Sequence, residues 1–250
     1  MTNTADNAQT ASSSGKPRQY YELRKYLLTN GQQTQLTEKY VSSALIPALN
    51  RLGISPVGVF NLYLGPETPT LYLLLPANSL DTLVSSHLRL REDQEFLSAA
   101  EPFWNAPATS PAFTRVESDL MIAFEGWPQL VVPPPTAQKG PRVFQLRSYE
   151  SPSDRDHVRK VRMFHEGEFE IFQKAGFWNV FFSDALIGSR LPKLTYMVSF
   201  SDLKQLDELW AAFGSNPDWK KLSARPEFSF EPIVSNITNL ILKPTQYSQI

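Results

Sequence analysis

The sequence predicts an α+β fold: two tandem ferredoxin-like β-α-β-β-α-β units whose sheets face each other as an intrachain pseudo-dimeric α/β barrel. Three observations carry this. The first is an internal repeat, in which Tyr21-Glu22-Leu23-Arg24-Lys25-Tyr26 returns 123 residues later as Phe144-Gln145-Leu146-Arg147-Ser148-Tyr149. At the same offset, Leu49-Asn50-Arg51-Leu52-Gly53-Ile54 meets Phe172-Gln173-Lys174-Ala175-Gly176-Phe177. One residue out of that register, Leu71-Tyr72-Leu73-Leu74 meets Thr195-Tyr196-Met197-Val198. A repeat of about 120 residues is domain-sized and far too long for a solenoid unit. The second observation is that both halves run through the same order of strand-like and helix-like periods. The third is the proline-rich stretch between them, with Pro133-Pro134-Pro135 at its centre, which favours an extended, stiff spacer. Residues 1–18 then read as a disordered leader, 19–126 as the first domain, 127–141 as the linker and 142–250 as the second domain.

The elements are plainest in the second half. Arg142 to Tyr149 alternates apolar and polar residues, the period of a strand. Ser151-Pro152-Ser153-Asp154 supplies helix-start chemistry, and Val158, Val161, His165, Phe169 and Phe172 follow at steps of three and four. Gly176 stops that helix. Phe177 to Leu186 and Leu194 to Phe200 read as strands about a turn at Gly188 to Pro192. Ser201 or Asp202 caps a second helix carrying Leu203, Leu206, Trp210 and Phe213 on one face. Asp218 to Leu222 suits a short turn, and the last strand is placed within Phe228 to Leu242. In the first half the same order gives strand 20–28, helix 36–52, strands 55–64 and 70–76, helix 79–98 and strand 113–124. Pro47 is expected to kink the first helix because it removes a backbone donor. A four-stranded sheet with helices on one face leaves its other face to be covered, and the second copy supplies the cover.

Composition sets limits on chemistry. At 42% hydrophobic residues, each half can bury a core of its own. A net charge of -1, with acids and bases spread over both halves, gives no concentrated basic face for nucleic acid. The absence of cysteine excludes disulfides, thiol catalysis and Cys-ligated metals. No apolar run approaches the length of a membrane span. Residues 1–18 lack the basic start and apolar centre of a signal peptide. The expected location is cytoplasmic, or exported if a leader has been trimmed. Three scattered histidines and no dense carboxylate cluster leave metal binding without support.

The second half resembles the NIPSNAP family, on Pro192-Lys193-Leu194-Thr195-Tyr196-Met197 and on Trp210-Ala211-Ala212-Phe213-Gly214-Ser215-Asn216-Pro217-Asp218-Trp219, with Ile237-Thr238-Asn239 and Tyr247-Ser248-Gln249-Ile250 closing the chain. The resemblance covers about residues 18–250 and is weaker in the first half, where Glu101-Pro102-Phe103-Trp104 is the nearest echo of the Pro-x-Trp element. It implies a tandem pair of domains of the dimeric α/β-barrel group and little about chemistry. The wider group includes cofactor-free and haem-dependent oxygenases, an analogy at the level of fold.

Several residues are candidates for a site. His165 lies on the apolar stripe of its helix, where a histidine can serve as a general base, as an axial haem ligand or as a bonded core residue. Its counterpart in the first half is Ser42, which can fill neither functional role. Glu168 is the nearest of three alternating glutamates and can orient it. Arg24 and Arg147, equivalent in the repeat, are candidates to enter the barrel lumen and bind a carboxylate or carbonyl. Tyr72 and Tyr196 are candidates to offer phenolic hydroxyls to the same cavity. Trp210, Phe213 and Trp219 read as scaffold. The expected function is a small-ligand-binding or protein-interaction module that forms homo-oligomers. The alternative is a cofactor-free or haem-dependent oxygenase-type enzyme acting on a small organic substrate. Because His165 and the Trp-x-x-Phe element occur in the second copy alone, any specialised site is expected there.

Overall fold

Eight antiparallel strands close into one barrel in the computed structural model of the chain, which describes residues 16–29, 31–67 and 69–250. The leader expected over 1–18 lies outside the described residues as far as 15. The strands are β1 (Tyr20–Leu27), β2 (Gly58–Leu64), β3 (Thr70–Ala77), β4 (Arg115–Ala123), β5 (Val143–Glu150), β6 (Trp178–Ile187), β7 (Lys193–Phe200) and β8 (Asn236–Pro244). Their order around the barrel is β1-β3-β2-β8-β5-β7-β6-β4. Each half is thus a ferredoxin-like sheet, and the halves join at two seams, β2 with β8 and β4 with β6. Closure leaves no open sheet edge.

Helices cover the outside. The first half carries α1 (Gln32–Tyr40), α2 (Ile46–Arg51), α3 (Leu80–Leu90) and α4 (Gln94–Trp104). The second carries α5 (Asp154–Met163), α6 (Phe169–Lys174), α7 (Leu203–Ser215), α8 (Pro217–Ser223) and the single turn α9 (Phe230–Ile233). The helix expected over 79–98 is two helices, because Asp93 starts a new one by accepting the Phe96 N–H at 2.9 Å. The last strand begins at Asn236, later than Phe228, after the short turns that include α9.

The first helix is irregular just before Pro47. A wide π turn spans Val41–Leu45, and the equivalent stretch Phe164–Glu168 kinks at Gly167, whose φ is 150°. Pro47 follows the first irregularity at the start of α2, and Gly167 lies inside the second.

Strand alternation gives three cores. Residues such as Leu71, Leu73 and Leu75 of β3 face the first helical layer, and Leu194, Tyr196 and Val198 of β7 face the second. The opposite parity lines the lumen: Tyr21 and Leu23, Tyr72 and Leu74, Phe144 and Leu146. At one end of the lumen Tyr21, Phe60, Phe144 and Phe181 are fully buried. Each such ring contributes about 1.5–3 kcal/mol on burial, so this end is packed core. Ile250 and Leu130 close it, and the Pro-rich segment crosses it with the Val131 N–H on the Val180 carbonyl at 2.9 Å. That segment is therefore a packed strap. Its Pro134–Gln138 stretch forms a 3-10 turn instead of an extended spacer.

Candidate functional site

The other end of the lumen is open. A cavity of about 660 Å³ sits there, against about 200 and 290 Å³ for two surface clefts. Its floor is Leu23, Tyr72, Leu146 and Leu240, the next inward-facing layer above the packed end. The strands that supply apolar residues below turn polar on the same face as they reach the rim. In β1, Tyr21 and Leu23 give way to Lys25; in β5, Phe144 and Leu146 give way to Ser148 and Glu150.

The rim charges pair across it. Lys25 Nζ lies 2.7 Å from Glu117 and 3.2 Å from Glu67. Lys193 Nζ donates to Asp119 Oδ2 at 2.7 Å, joining β7 of the second half to β4 of the first. The other Asp119 oxygen accepts the Ser189 N–H at 3.2 Å. Gly188 makes that approach possible, since a Cβ there would stand 1.9 Å from Asp119 Oδ1. Arg190 lies 3.8 Å from Glu150 Oε1, which also accepts from Asn236 at 2.7 Å. Two hairpins flank the opening and repeat each other's backbone. Gly65 and Gly188 have φ of 153° and 155°, and Glu67 and Arg190 have φ of 63° and 59°. The repeat thus sets an acidic tip on one side and a basic tip on the other.

Of the residues singled out from sequence, Tyr72 reaches this cavity. Burial pushes its phenol well up, with Glu67 and Glu117 adding to the rise, so the hydroxyl stays a donor. Tyr196 does not reach it. It faces the helices of the second half and bonds the Tyr149 hydroxyl at 2.9 Å. Strand register explains the difference: Tyr72 pairs with Lys25, whereas Thr195, not Tyr196, pairs with the equivalent Ser148. A one-residue offset puts the side chain on the opposite face.

Arg24 and Arg147 are also absent from the lumen. They share the helix-facing parity, opposite to Leu23 and Leu146. Arg24 forks onto Glu22 at 2.7 and 2.9 Å, and Arg147 lies over the rings of Trp210 and Tyr149 at 4.6 and 5.4 Å. The alternation is read correctly from sequence, but the faces are reversed, because the lumen takes the apolar set.

His165 lies on the surface of the second half. Its Nε2 accepts the Gly126 N–H at 3.1 Å and its Nδ1 faces the Val161 carbonyl at 2.9 Å, which calls for the Nδ1–H tautomer. Phe124 and Phe169 flank the ring. With both nitrogens engaged, the residue does not fit an axial haem ligand. Glu168 pairs with Lys160 at 2.7 Å rather than with His165, and both partners are buried between helix and sheet. Burial raises the Glu168 carboxyl, and the Lys160 ammonium only partly offsets that rise. Trp210 and Phe213 pack against Phe172 and Phe177 as scaffold.

Sequence reasoning passes over Lys25, Glu117, Asp119, Glu150 and Lys193. The signal for two of them is present: Lys25 and Glu150 continue the lumen parity of Leu23 and Leu146. The cavity draws on both halves instead of lying in the second. Among the described residues no group of three or more His, Asp or Glu side chains stands placed to hold a metal ion, and no helix is long and apolar enough to cross a membrane.

The family model described as NIPSNAP matches residues 21–123 and 144–249. Nearly the whole chain superposes on a protein provisionally named a monooxygenase from Lactobacillus acidophilus, at 8% identity, covering 91% of this chain and 94% of that one, with a TM-score of 0.59. A second protein so named, from Fusobacterium nucleatum, gives 8% identity, 91% and 92% coverage and a TM-score of 0.56. A NIPSNAP-like domain protein from Burkholderia xenovorans aligns at 17% identity, covering 43% of this chain and 88% of that chain, with a TM-score of 0.39. No curated protein sequence matches the chain. At these identities the likeness is one of fold.

Proposed function

The chain belongs to the NIPSNAP family, and from that premise we propose that its barrel is a small-ligand-binding module that takes its ligand at the open mouth. One observation carries the reading. Two tandem sheets close a lumen that is packed solid at one end and holds a cavity of about 660 Å³ at the other. That volume lies within the range of about 300–1,000 Å³ usual for small-molecule sites. An apolar floor with polar groups converging from several strands is the arrangement that orients an organic molecule in part by shape and in part by hydrogen bonds. The rim charges pair with one another, and His165 lies outside the cavity with both nitrogens engaged. These observations support binding and give no specific support to an oxygenase reaction.

Ligand-observed NMR with a set of small organic fragments tests the reading. Fragments should bind the protein and be lost when Leu240→Trp fills the cavity floor, with Leu146→Phe as a milder second variant. Fragments that bind wild type and both variants equally, or a set in which none binds, would contradict it.

A further inference from the structure

We propose that the mouth recognises the zwitterionic head of an α-amino acid with an apolar side chain, its carboxylate on Lys193 and its ammonium on Glu150. The inference rests on the mouth being the ligand site and adds the chemistry of the ligand.

Lys193 is the most informative side chain of the cavity. It is 5% exposed, yet it lines the cavity wall. A lysine has three N–H donors, and one is used here, on Asp119. That bond to Asp119 is also its ion pair. Its side chain lines the open cavity, so its remaining donors can meet an acceptor brought by a ligand. Both Asp119 oxygens are already engaged, which fixes the lysine without satisfying it.

Glu150 stands directly opposite Lys193 in the β5–β7 ladder. Residues so paired share a face, with Cβ atoms about 4.5–5.5 Å apart. The two charges nevertheless make no ion pair with each other, because each is drawn elsewhere. Lys193 leans to Asp119, while Asn236 and Arg190 hold one oxygen of Glu150. A base and an acid therefore stand side by side at the mouth without pairing to each other. An α-amino acid head carries the complementary pair, carboxylate beside ammonium, on one carbon.

The whole rim agrees. The cavity lining holds four basic and four acidic side chains, so it offers no net charge to a bare anion or cation. A neutral ligand would bury these groups without using them. Below the head, Leu146, Leu240 and Tyr72 offer an apolar bed for the side chain.

Isothermal titration with L-phenylalanine, 3-phenylpropionate and 2-phenylethylamine tests this on the full chain. These probes share the ring and differ in the charges of the head. L-phenylalanine should bind at least tenfold more tightly than either of the others. Lys193→Met should weaken L-phenylalanine and 3-phenylpropionate at least tenfold and leave 2-phenylethylamine unchanged, and Glu150→Gln should weaken L-phenylalanine and 2-phenylethylamine at least tenfold and leave 3-phenylpropionate unchanged. If Lys193→Met fails to fold, Lys193→Gln with Asp119→Asn keeps a hydrogen-bonded pair and serves in its place. Equal affinity for all three probes, abolished by Leu240→Trp, would overturn the zwitterion and leave the mouth standing. Binding of L-phenylalanine that survives Leu240→Trp and both head-group variants would overturn the site as well. No binding of L-phenylalanine, with other fragments still displaced by Leu240→Trp, would overturn the zwitterion alone.

Discussion

His165 shows how a titratable residue on an apolar helix stripe can be scaffold. Its two hydrogen bonds tie the chain at Gly126 to the helix of the second half. At about 1 kcal/mol per bond, His165→Ala should cost about 1–2 kcal/mol in chemical denaturation and leave binding at the mouth unchanged; a loss of binding with stability intact would restore it as a site residue. Glu168 and Lys160 make a sharper case. Removing one partner strands a buried charge, so Glu168→Ala should cost about 3–5 kcal/mol. Lys160→Met with Glu168→Leu should cost less than either single change and could even stabilise, because desolvation consumes most of what the pair gains. The pH dependence has a fixed sign. Burial raises the Glu168 carboxyl, so the native state keeps its proton to higher pH than the unfolded chain does. That contribution is full below about pH 4.3 and is lost as pH rises through the native value. Wild type should therefore lose stability relative to the double variant as pH rises from about 4; a wild type that holds or gains stability relative to the double variant would contradict this.

At the scale of elements, alternation decides which residues can meet. The sequence repeat aligns Tyr72 with Tyr196 one residue out of register, and in a strand one residue is the difference between lumen and helical layer. Strand positions are legible because apolar alternation and turn residues mark them locally. Which face becomes lumen is not legible in one strand alone, because both faces of these sheets are buried. The helix break at Asp93 hides for a related reason: capping by a side chain leaves the apolar spacing almost continuous. The hairpins carry their own prediction. Gly188→Ala would drive a Cβ into Asp119 at a backbone φ of 155°, which L side chains rarely adopt. It should lower the thermal midpoint and weaken probe binding, whereas Gly53→Ala, also at positive φ but in open space, should lower stability alone. Equal effects on binding would detach the hairpin from the site.

At the scale of the molecule, two halves share one closed sheet, with residues 245–250 running beside β2 through the Thr245 and Gln249 N–H groups on the carbonyls of Val59 and Val57. Neither sheet is complete without the other's edge, so unfolding should be one cooperative event. Variants retaining Trp104 or Trp210 as sole tryptophan report on different halves and should give coincident denaturation curves; separated midpoints would show two independent units. The tandem fold itself is readable from the repeat, since Leu-Arg-x-Tyr recurs with the elements around it. The site is not, because Lys193 and Glu150 pair within the second sheet but meet Asp119 of the first half only through barrel closure. Methyl NMR tests that placement most directly. With L-phenylalanine, the methyls of Leu23, Leu146 and Leu240, which face the mouth, should shift, and those of Leu73 and Leu194, one parity away, should stay. Shifts at Leu194 and Met163 with Leu146 and Leu240 unmoved would put the ligand under the helices and contradict the account.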